Sequence, residues 1–475
     1  MFKNFYSSLL SLHVLNRLVY DVRGSNYKIE LLQDINPNGS SGPSRFERLE
    51  PADGSNNKMF FVADDGTHSV EPWVSDGTRA GTKLLKDIHP GDLTSGRGSN
   101  KNAHGKIYFV ADDGITGDEL WLSDGTSAGT KRVKDIFPGS TGSDPRYMSE
   151  FGIDLYFFAQ SSDTNRRQLW KTDGTDANTV EISKVQGGFN PRSSLNKVGN
   201  ILIFLSRDEN NWNSIWKVDG DVASQITPQE LEVHSQSGFG RSLTAEVLGK
   251  VYFSAASANG VALYSTDGSV VNKVKDDIKL FLVSRSMIDD QRVLFVAEQQ
   301  DFSVWVTDGT SQGTKLLLDN LVRVYFFPTY DGKTLFMAED STPGLKMYSS
   351  DGTVAGTKVI FKFDSTKEVT PKAGSKMGED GPFFWGMTVG SLYEIWLIEG
   401  SDKEPKKLRE FLTHPDDNSY DMNYLNNATI LFGSYDNNTG VELWEISKIS
   451  SSSTVFSFSM GAIFSITALF SLIFI

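Results

Sequence analysis

The chain has 475 residues and carries 60 acidic against 46 basic side chains, giving a formal net charge of −14. Its content of 39% hydrophobic and 22% charged residues indicates a folded protein and excludes an intrinsically disordered one. An acidic body of this size repels phosphate backbones, which argues against nucleic-acid binding. The absence of cysteine excludes disulfides and thiolate metal sites.

The N-terminal segment, residues 1–26, is a candidate secretion signal. Lys3 supplies a cation, and the apolar stretch that follows from Phe5 to Leu15 is interrupted by three serines and a histidine. A misassigned start or a disordered leader is the alternative interpretation of this segment.

Residues 27–449 contain an internal repeat with a period of about 48 residues. In the clearest copies, residues 58–91 and 106–139, a Phe/Tyr-rich segment precedes a Trp segment, an Asp-Gly-Thr turn and an Asp-Ile-x-Pro-Gly segment. With one short segment after Pro-Gly, this pattern predicts about four strands per copy. A marker aromatic recurs at Trp73, Trp121, Trp170, Trp216, Tyr264, Trp305, Tyr348, Trp396 and Trp444.

The strands of the repeat are apolar on both faces. In the second copy Ile107 and Phe109 point to one face of a strand, whereas Tyr108 and Val110 point to the other. A sheet that is apolar on both faces must lie between two other layers. In a β-propeller each blade lies between its neighbours, so the pattern favours that architecture. The marker aromatics are expected to pack between blades.

Asp-Gly pairs after the marker aromatics predict tight turns. We expect the Asp carboxylate to accept the backbone N–H two residues later, the Gly to take a positive φ and the following Thr to restart a strand. A second glycine, as at Gly81 and Gly129, is predicted to supply another positive φ before the outer strand. The turn residues are Asp76, Gly77, Asp124, Gly125, Asp173, Gly174, Asp308, Gly309, Asp351 and Gly352.

The two ends of the array match as parts of one copy. Residues 31–37 repeat the pattern of residues 84–90, the last strand of a copy, whereas the array ends at Ile446 without that strand. We expect the N-terminal strand to complete the last blade and leave no free edge. The sequence predicts an all-β fold, a single closed β-propeller of about nine (eight to nine) four-stranded blades. Two separate smaller propellers are the alternative.

One copy gives the array a family resemblance. Residues Glu119 to Thr130 read ELWLSDGTSAGT, which resembles the signature of the ELWxxDGT repeat proteins, often called hyalin-like. The resemblance extends over nearly all of residues 28–446, although the motif has decayed around Trp216, Tyr264 and Trp396. It implies a secreted or surface-attached repeat protein and indicates almost nothing about an activity or a ligand.

The C-terminal segment, residues 450–475, has the composition of a membrane anchor. An uncharged, mostly apolar run from Val455 to Ile475 is long enough to cross a bilayer, and no cation follows it. The pattern predicts either a glycolipid-anchor signal or a tail-end transmembrane helix. Candidate anchor sites are Ser450, Ser451, Ser452 and Ser453.

The two ends together predict a glycoprotein at the cell surface, on the extracellular face of the plasma membrane. Three Asn-x-Ser/Thr triplets are candidate N-glycosylation sites, at Asn38, Asn427 and Asn437.

No catalytic motif is found in the sequence, and no pair among the six histidines has metal-ligand spacing. Paired carboxylates follow the Phe/Tyr-rich strand in two copies and are candidate calcium ligands, although capping of hairpin turns is the simpler interpretation. These residues are Asp64, Asp65, Asp112 and Asp113. We expect no cofactor.

We therefore expect a surface-tethered binding or adhesion propeller without catalytic activity. The expected form is a monomer whose partner is an extracellular protein or glycan. A structural coat or matrix component, or a propeller enzyme acting on extracellular glycans, are the alternatives. Residues 225–240 and 367–382 depart furthest from the repeat and are candidate binding loops, with neutral drift as the other interpretation.

Overall fold

The computed structural model describes residues 19–21, 26–51, 54–90, 100–161, 166–183, 188–207, 212–228, 230–233, 248–298, 300–330, 332–378, 381–413, 421–436 and 439–449. The candidate anchor segment and most of the candidate secretion signal lie outside these ranges. Every regular element in the described ranges is a β-strand, which confirms the predicted all-β class. Across the same ranges, no helix with the length and apolar character of a membrane span is found.

The strands form eight antiparallel sheets within the described residues, and these sheets contain nine units of successive strands. The chain begins with β1 (Val19–Asp21) and β2 (Tyr27–Gln33). Unit 1 comprises β3 (Ser44–Leu49), β4 (Lys58–Asp64), β5 (Val70–Ser75) and β6 (Lys83–Leu84), and unit 2 comprises β7 (Asn100–Ala103), β8 (Lys106–Asp112), β9 (Asp118–Ser123) and β10 (Lys131–Arg132). Unit 3 comprises β11 (Arg146–Phe151), β12 (Asp154–Ala159), β13 (Gln168–Thr172) and β14 (Val180–Ser183).

Units 4 and 5 follow the same order, with the first strand of unit 4 split in two. Unit 4 comprises β15 (Asn190–Pro191), β16 (Asn196–Val198), β17 (Ile201–Arg207), β18 (Asn213–Asp219) and β19 (Val222–Gln225). Unit 5 comprises β20 (Glu232–Val233), β21 (Val251–Ser257), β22 (Gly260–Thr266) and β23 (Val271–Asp276).

Units 6 and 7 share one strand and so form a single seven-stranded sheet. Its strands are β24 (Leu280–Asp289), β25 (Arg292–Glu298), β26 (Phe302–Thr307), β27 (Lys315–Tyr330), β28 (Lys333–Asp340), β29 (Lys346–Ser350) and β30 (Lys358–Lys362). The 16-residue β27 pairs with β26 through its first half and with β28 through its second half. Leu321 is paired on both sides, with Phe302 and with Asp340.

The N-terminal strand pairs where the sequence predicted. Unit 8 comprises β31 (Val369–Lys376), β32 (Phe383–Val389), β33 (Leu392–Ile398) and β34 (Lys406–Leu412). Unit 9 begins with β35 (Met422–Asn426), β36 (Thr429–Asp436) and β37 (Gly440–Lys448). Strand β2 then adds to β37 as its fourth strand, with Ile29 opposite Ile446, and β1 adds outside β2 as a fifth.

The hydrophobic core lies between units. Nine clusters of buried side chains are found among the described residues, and each draws from two units that follow one another along the chain or from units 9 and 1. In the cluster between units 9 and 1, Met59 and Phe61 pack with Leu425 and Leu443. Burial on both faces is what the two-sided apolar strands require.

Each marker aromatic lies on the third strand of its unit, opposite an aromatic of the second strand, and faces the preceding unit. The opposed pairs place aromatic rings where cross-strand contacts stabilise a sheet. They are Phe61–Trp73, Phe109–Trp121, Phe157–Trp170, Phe204–Trp216, Phe253–Tyr264, Phe295–Trp305, Phe336–Tyr348, Trp385–Trp396 and Phe432–Trp444.

Two faces of the array can be told apart. The turn face carries the turns between first and second strands and those between third and fourth strands, and these turns pack unit against unit. A Cβ on Gly125 would meet Leu49 of the preceding unit at 2.7 Å, and the Lys58 ammonium donates to the Gly125 carbonyl at 3.4 Å. The hairpin face carries the turns between second and third strands and the connections between units. There His89 lies against the hairpin glycine Gly114.

Candidate functional site

The Asp-Gly-Thr turns form as predicted at their first two residues and differently at the next positions. Asp124 Oδ1 accepts the backbone N–H of Thr126 at 2.9 Å, and Gly125 has φ 83°. Thr126 does not restart a strand. Its hydroxyl accepts the N–H of Gly129 at 3.0 Å, and β10 begins only at Lys131. The other copies with this sequence make the same bonds.

The predicted positive φ of the second glycine is wrong. Gly81 and Gly129 are not among the residues with positive φ. Their need for glycine is steric, because a Cβ on Gly129 would lie 2.1 Å from Asp124 Oδ1. In the third copy Asn178 stands at this position and donates to the Asp173 carboxylate at 2.6 Å.

The glutamate before the marker aromatic is a structural residue that the sequence analysis missed. Glu71, Glu119 and Glu442 are completely buried, on the hairpin face of units 1, 2 and 9. Glu442 accepts the N–H of Ile35 at 2.7 Å and that of Ser41 at 3.0 Å. Each carboxylate thus binds backbone N–H groups of the connection to the next unit, a role that its recurrence before Trp could have suggested.

Burial alters the acidity of these glutamates. Desolvation raises the pKa of Glu119 to about 7, although its hydrogen bonds from Ser143 and the Phe137 N–H act in the opposite direction. Desolvation likewise raises the pKa of Glu442 to about 7, against bonds from Ser41 and Ile35. Their oxygens are occupied by the connections, so we assign them to the scaffold.

The four calcium candidates lie in hairpins on the hairpin face, where their oxygens accept backbone N–H groups. Asp64 and Asp112 each accept the N–H of the glycine two residues later, at 2.7 and 2.8 Å. Asp65 bonds the N–H of His68, and Asp113 bonds Thr116 and Arg132. In the part of the chain that the structure describes, no group of three or more acidic or histidine side chains is placed to hold a metal ion.

The remaining candidates lie apart. Asn38 is exposed on the hairpin face and Asn427 is exposed on the turn face, whereas Asn437 and the four anchor-site serines fall outside the described residues. Within the stretch 367–382, residues 369–376 form strand β31, whose register against β32 shifts between Pro371 and Gly374. Within the stretch 225–240, Thr227 is buried and accepts the Ile215 N–H at 3.0 Å, and residues 234–240 are not described.

Basic side chains from units 3 and 4 gather on the hairpin face, in a group that the sequence analysis did not find. We call Arg166, Arg192 and Arg207 the arginine cluster. Arg166 follows the second strand of unit 3 and donates to the Arg207 carbonyl at 2.9 Å. Arg207 ends β17, and its Nε donates to Asn213 Oδ1 at 3.2 Å.

Arg192 is the member of the cluster that has a buried nitrogen without a hydrogen-bond partner in the described part of the chain. Burial, and then the positive charges of Arg207 and Arg166, lower its pKa, and Tyr147 acts in the opposite direction. Its Nε atom is buried and has no hydrogen-bond partner among the described residues. The guanidinium stays protonated, so Arg192 brings a further positive charge close to those of Arg166 and Arg207.

Ion pairs border the cluster on its unit 3 side. Asp144 binds Arg146 at 2.8 Å, and it also binds Arg167. Asp144 and Tyr147 both take positive φ, at 46° and 57°, which is uncommon for residues other than glycine. Strained backbone of this kind is concentrated at functional sites in proteins.

An exposed tryptophan lies next in sequence to a residue that binds the cluster. Trp212 is 48% exposed and directly precedes Asn213, the residue that binds Arg207. Arginine matches carboxylate and sulfate groups with paired N–H donors, and tryptophan offers a flat apolar face beside them. The arrangement can bind an anion next to a ring. The sequence signal was weak because the residues are spread from 166 to 212 without a motif.

No family model matches the sequence, and no curated protein matches it. Solved structures similar to the chain include a puromycin hydrolase, at 11% identity and a TM-score of 0.40, over 76% of this chain and 60% of that one. A Mycobacterium tuberculosis puromycin-hydrolysing peptidase matches at 9% and 0.40, over 73% and 60%. An oligogalacturonate lyase in complex with manganese matches at 11% and 0.40, over 91% and 96%. The chain spans about 60% of the length of the two puromycin-hydrolysing enzymes.

These similar structures are enzymes, which contradicts two predictions made from the sequence. The binding or adhesion function without catalysis, and the statement that the chain is not an enzyme, are therefore dropped. At 9–11% identity the likeness concerns the course of the backbone. It transfers no catalytic residue and no substrate to this chain.

Proposed function

We propose that the nine units form one closed nine-bladed β-propeller. An open row of nine units has eight junctions between neighbours, and the ninth hydrophobic cluster joins unit 9 to unit 1. Polar contacts support the same junction. The Arg45 N–H donates to Asp421 at 3.0 Å, and Asn423 donates to the Phe46 carbonyl at 3.1 Å. The pairing of β2 with β37 removes the free edge of the last unit.

We propose that the arginine cluster recognises an anionic saccharide. The observation that carries the proposal is the crowding of Arg192 by Arg166 and Arg207 on a chain of net charge −14. An anion placed among like charges relieves their repulsion. Trp212 supports a saccharide, because a sugar ring can lie on the exposed aromatic face while its carboxylate or sulfate meets the guanidinium groups.

The proposal is tested by titration calorimetry with polygalacturonate, dextran sulfate and neutral dextran. We expect the chain to bind at least one polyanion, more weakly at high salt, and not to bind dextran. Arg192→Gln should weaken binding by roughly ten- to a hundredfold, the cost of losing a charged hydrogen bond of about 1.5–3 kcal/mol.

Lys197→Gln is the matched control, since it removes one positive charge from β16 of the same unit, next to the turn face. It should leave the affinity unchanged. If neither polyanion binds, or if dextran binds equally well, the proposal is wrong. Because the similar solved structures are enzymes, the polymers recovered from these mixtures should also be examined for shortening.

We further propose that the protein is exported and held at the outer surface of a membrane by residues 450–475. The uncharged run from Val455 to Ile475 supports this proposal. Release from cells by a phosphatidylinositol-specific lipase would identify a glycolipid anchor. Release only by detergent would identify a spanning helix, and recovery of the chain in the medium without either treatment would contradict the proposal.

A further inference from the structure

We infer that the turn face lies towards the membrane and that the hairpin face, with the arginine cluster, points away from it. The inference rests on the proposed membrane attachment and is independent of anion recognition. Its starting point is where the described chain ends. The Lys448 N–H donates to the Ala428 carbonyl at 3.0 Å, and Ala428 belongs to the turn between β35 and β36. The chain therefore leaves the last unit at the turn face.

The end of β37 is also held by the chain segment just before β2. The Ile449 N–H donates to the Asn26 carbonyl at 2.8 Å, just before β2 begins. Leu425, at the end of β35, lies against Gly77 in the Asp-Gly-Thr turn of unit 1. The point of departure is thus held within the same layer of turns as the rest of the turn face.

The tether is short compared with the depth of a unit. Residues 450–454 separate the described chain from the apolar run, and five residues span at most roughly 18 Å when extended. Strand β37 has nine residues, which rise roughly 30 Å between the two faces. If residues 455–475 span the bilayer as a helix, the hairpin face cannot reach it unless the whole array turns over. If the run is replaced by a glycolipid, the attachment still starts from the turn face.

The turn face also offers apolar tips to a lipid surface. Val270 and Val354 lie in turns between third and fourth strands and are 54% and 65% exposed, and Val222, the first residue of β19 directly after such a turn, is 65% exposed. Ile153, in the turn between β11 and β12, is 81% exposed. The occupant that we assign to this face is a phosphatidylcholine-type bilayer, which carries no net charge and so does not repel an acidic body.

The absence of cysteine makes the orientation directly measurable. Single variants Ile153→Cys and Val354→Cys place a fluorescent label on the turn face. Ile115→Cys, at a hairpin position that is 75% exposed, is the matched position on the opposite face. The full-length chain is incorporated into phosphatidylcholine vesicles that contain lipids with a nitroxide on the headgroup. Vesicles without nitroxide give the unquenched reference for each label.

We expect the labels at residues 153 and 354 to lose fluorescence and the label at residue 115 to keep it. Equal quenching at the three positions, stronger quenching at residue 115, or failure of the chain to float with the vesicles would each overturn the inference. Polygalacturonate binding by the chain is measured in parallel, in vesicles and in detergent, so that a failure of the proposed anion recognition can be told from a wrong orientation. The polymer still binds if only the orientation is wrong.

Discussion

At the scale of single residues, the buried glutamates before the marker aromatics replace the backbone partners that irregular connections lack. The connection after β10 leaves the strand ladder, and Glu119 accepts the Phe137 N–H at 3.0 Å and the Ser143 hydroxyl at 2.6 Å. Buried backbone donors must be paired, and a single carboxylate pairs two groups at once. The cost of removing it is the cost of leaving both groups unpaired.

Glu119→Ala is therefore expected to lower the free energy of unfolding by about 2–4 kcal/mol, because each buried donor without a partner costs about 1–3 kcal/mol. Glu119→Gln should cost less, since its amide oxygen still accepts one bond. Urea denaturation followed by tryptophan fluorescence measures both variants. The half-exposed Glu150→Ala is the control, and an effect of Glu119→Ala no larger than that control would contradict the assignment.

The second glycine of the turn gives a prediction in which a side chain is added rather than removed. Gly129→Ala adds a Cβ that would lie 2.1 Å from Asp124 Oδ1, so the carboxylate must move and its bonds to Thr126 are lost. We expect a loss of about 1–3 kcal/mol in unfolding free energy. Gly129→Asn should cost less, because Asn178 donates to Asp173 in the corresponding position of unit 3. Equal melting temperatures for Ala and Asn in differential scanning calorimetry would count against this explanation.

The turn illustrates what the sequence could and could not reveal about single residues. The bond from the Thr126 N–H to Asp124 was predictable, because Asp-Gly-Thr has a known local geometry. The reason for glycine at position 129 was not predictable. A second glycine in a turn suggests a positive φ, whereas Gly129 is needed because a Cβ there would clash with the Asp124 carboxylate. The arginine cluster was missed for a similar reason, since like charges brought together by packing leave no periodic trace.

At the scale of elements, the junction between β2 and β37 carries an unusual charge arrangement. Glu30 lies directly opposite Glu445, and both side chains are buried. Lys28 binds Glu30, and its Nζ atom lies 3.7 Å from Glu445 Oε1. Burial, and then the neighbouring Glu30, raise the pKa of Glu445 above its usual value, while Lys28 opposes the shift.

Stability should consequently fall as the pH rises from 5 to 8. Glu119, Glu442 and Glu445 have raised pKa values in the folded state and the ordinary value of 4.5 when unfolded. Between these values the folded state holds more protons than the unfolded state, so each rise in pH favours unfolding until the folded pKa is passed. Aspartates with lowered pKa values, such as Asp267 at about 2, lose their contribution only below this range.

The measurement is the urea midpoint at pH 5, 6, 7 and 8 in buffers of equal ionic strength. Glu445→Gln should reduce the slope of the midpoint against pH, because one of the opposed carboxyls no longer ionises. A midpoint that rises between pH 5 and 8 would refute the linkage.

Strand order was predictable from the chain because the segment 31–37 repeats a strand found in complete copies. The shared strand β27 was not predictable. Its two halves belong to different copies of the repeat, and only the shorter spacing between Tyr264, Trp305 and Tyr348 hinted that a connection was missing.

At the scale of the whole molecule, a closed ring predicts that the N-terminal strand stabilises the entire chain and not only unit 9, to which it adds. Deleting residues 27–40 removes β2 and Ile35, one of the two residues that Glu442 binds, and it exposes the edge of β37. We expect a lower melting temperature and a broader transition for the entire chain. Circular dichroism melting checks this expectation, and a deletion variant that melts like the intact chain would disprove the closed ring.

The 16-residue β27 has a mechanical consequence for such a ring. Units 6 and 7 cannot separate without bending a continuous backbone, whereas no other strand among the described residues belongs to two units. Transient separation of neighbouring units should therefore occur at junctions other than the one between units 6 and 7. Amide hydrogen exchange should find the sector from β25 to β29 among the last to exchange, which would make it the anchor for any hinge motion that admits a ligand.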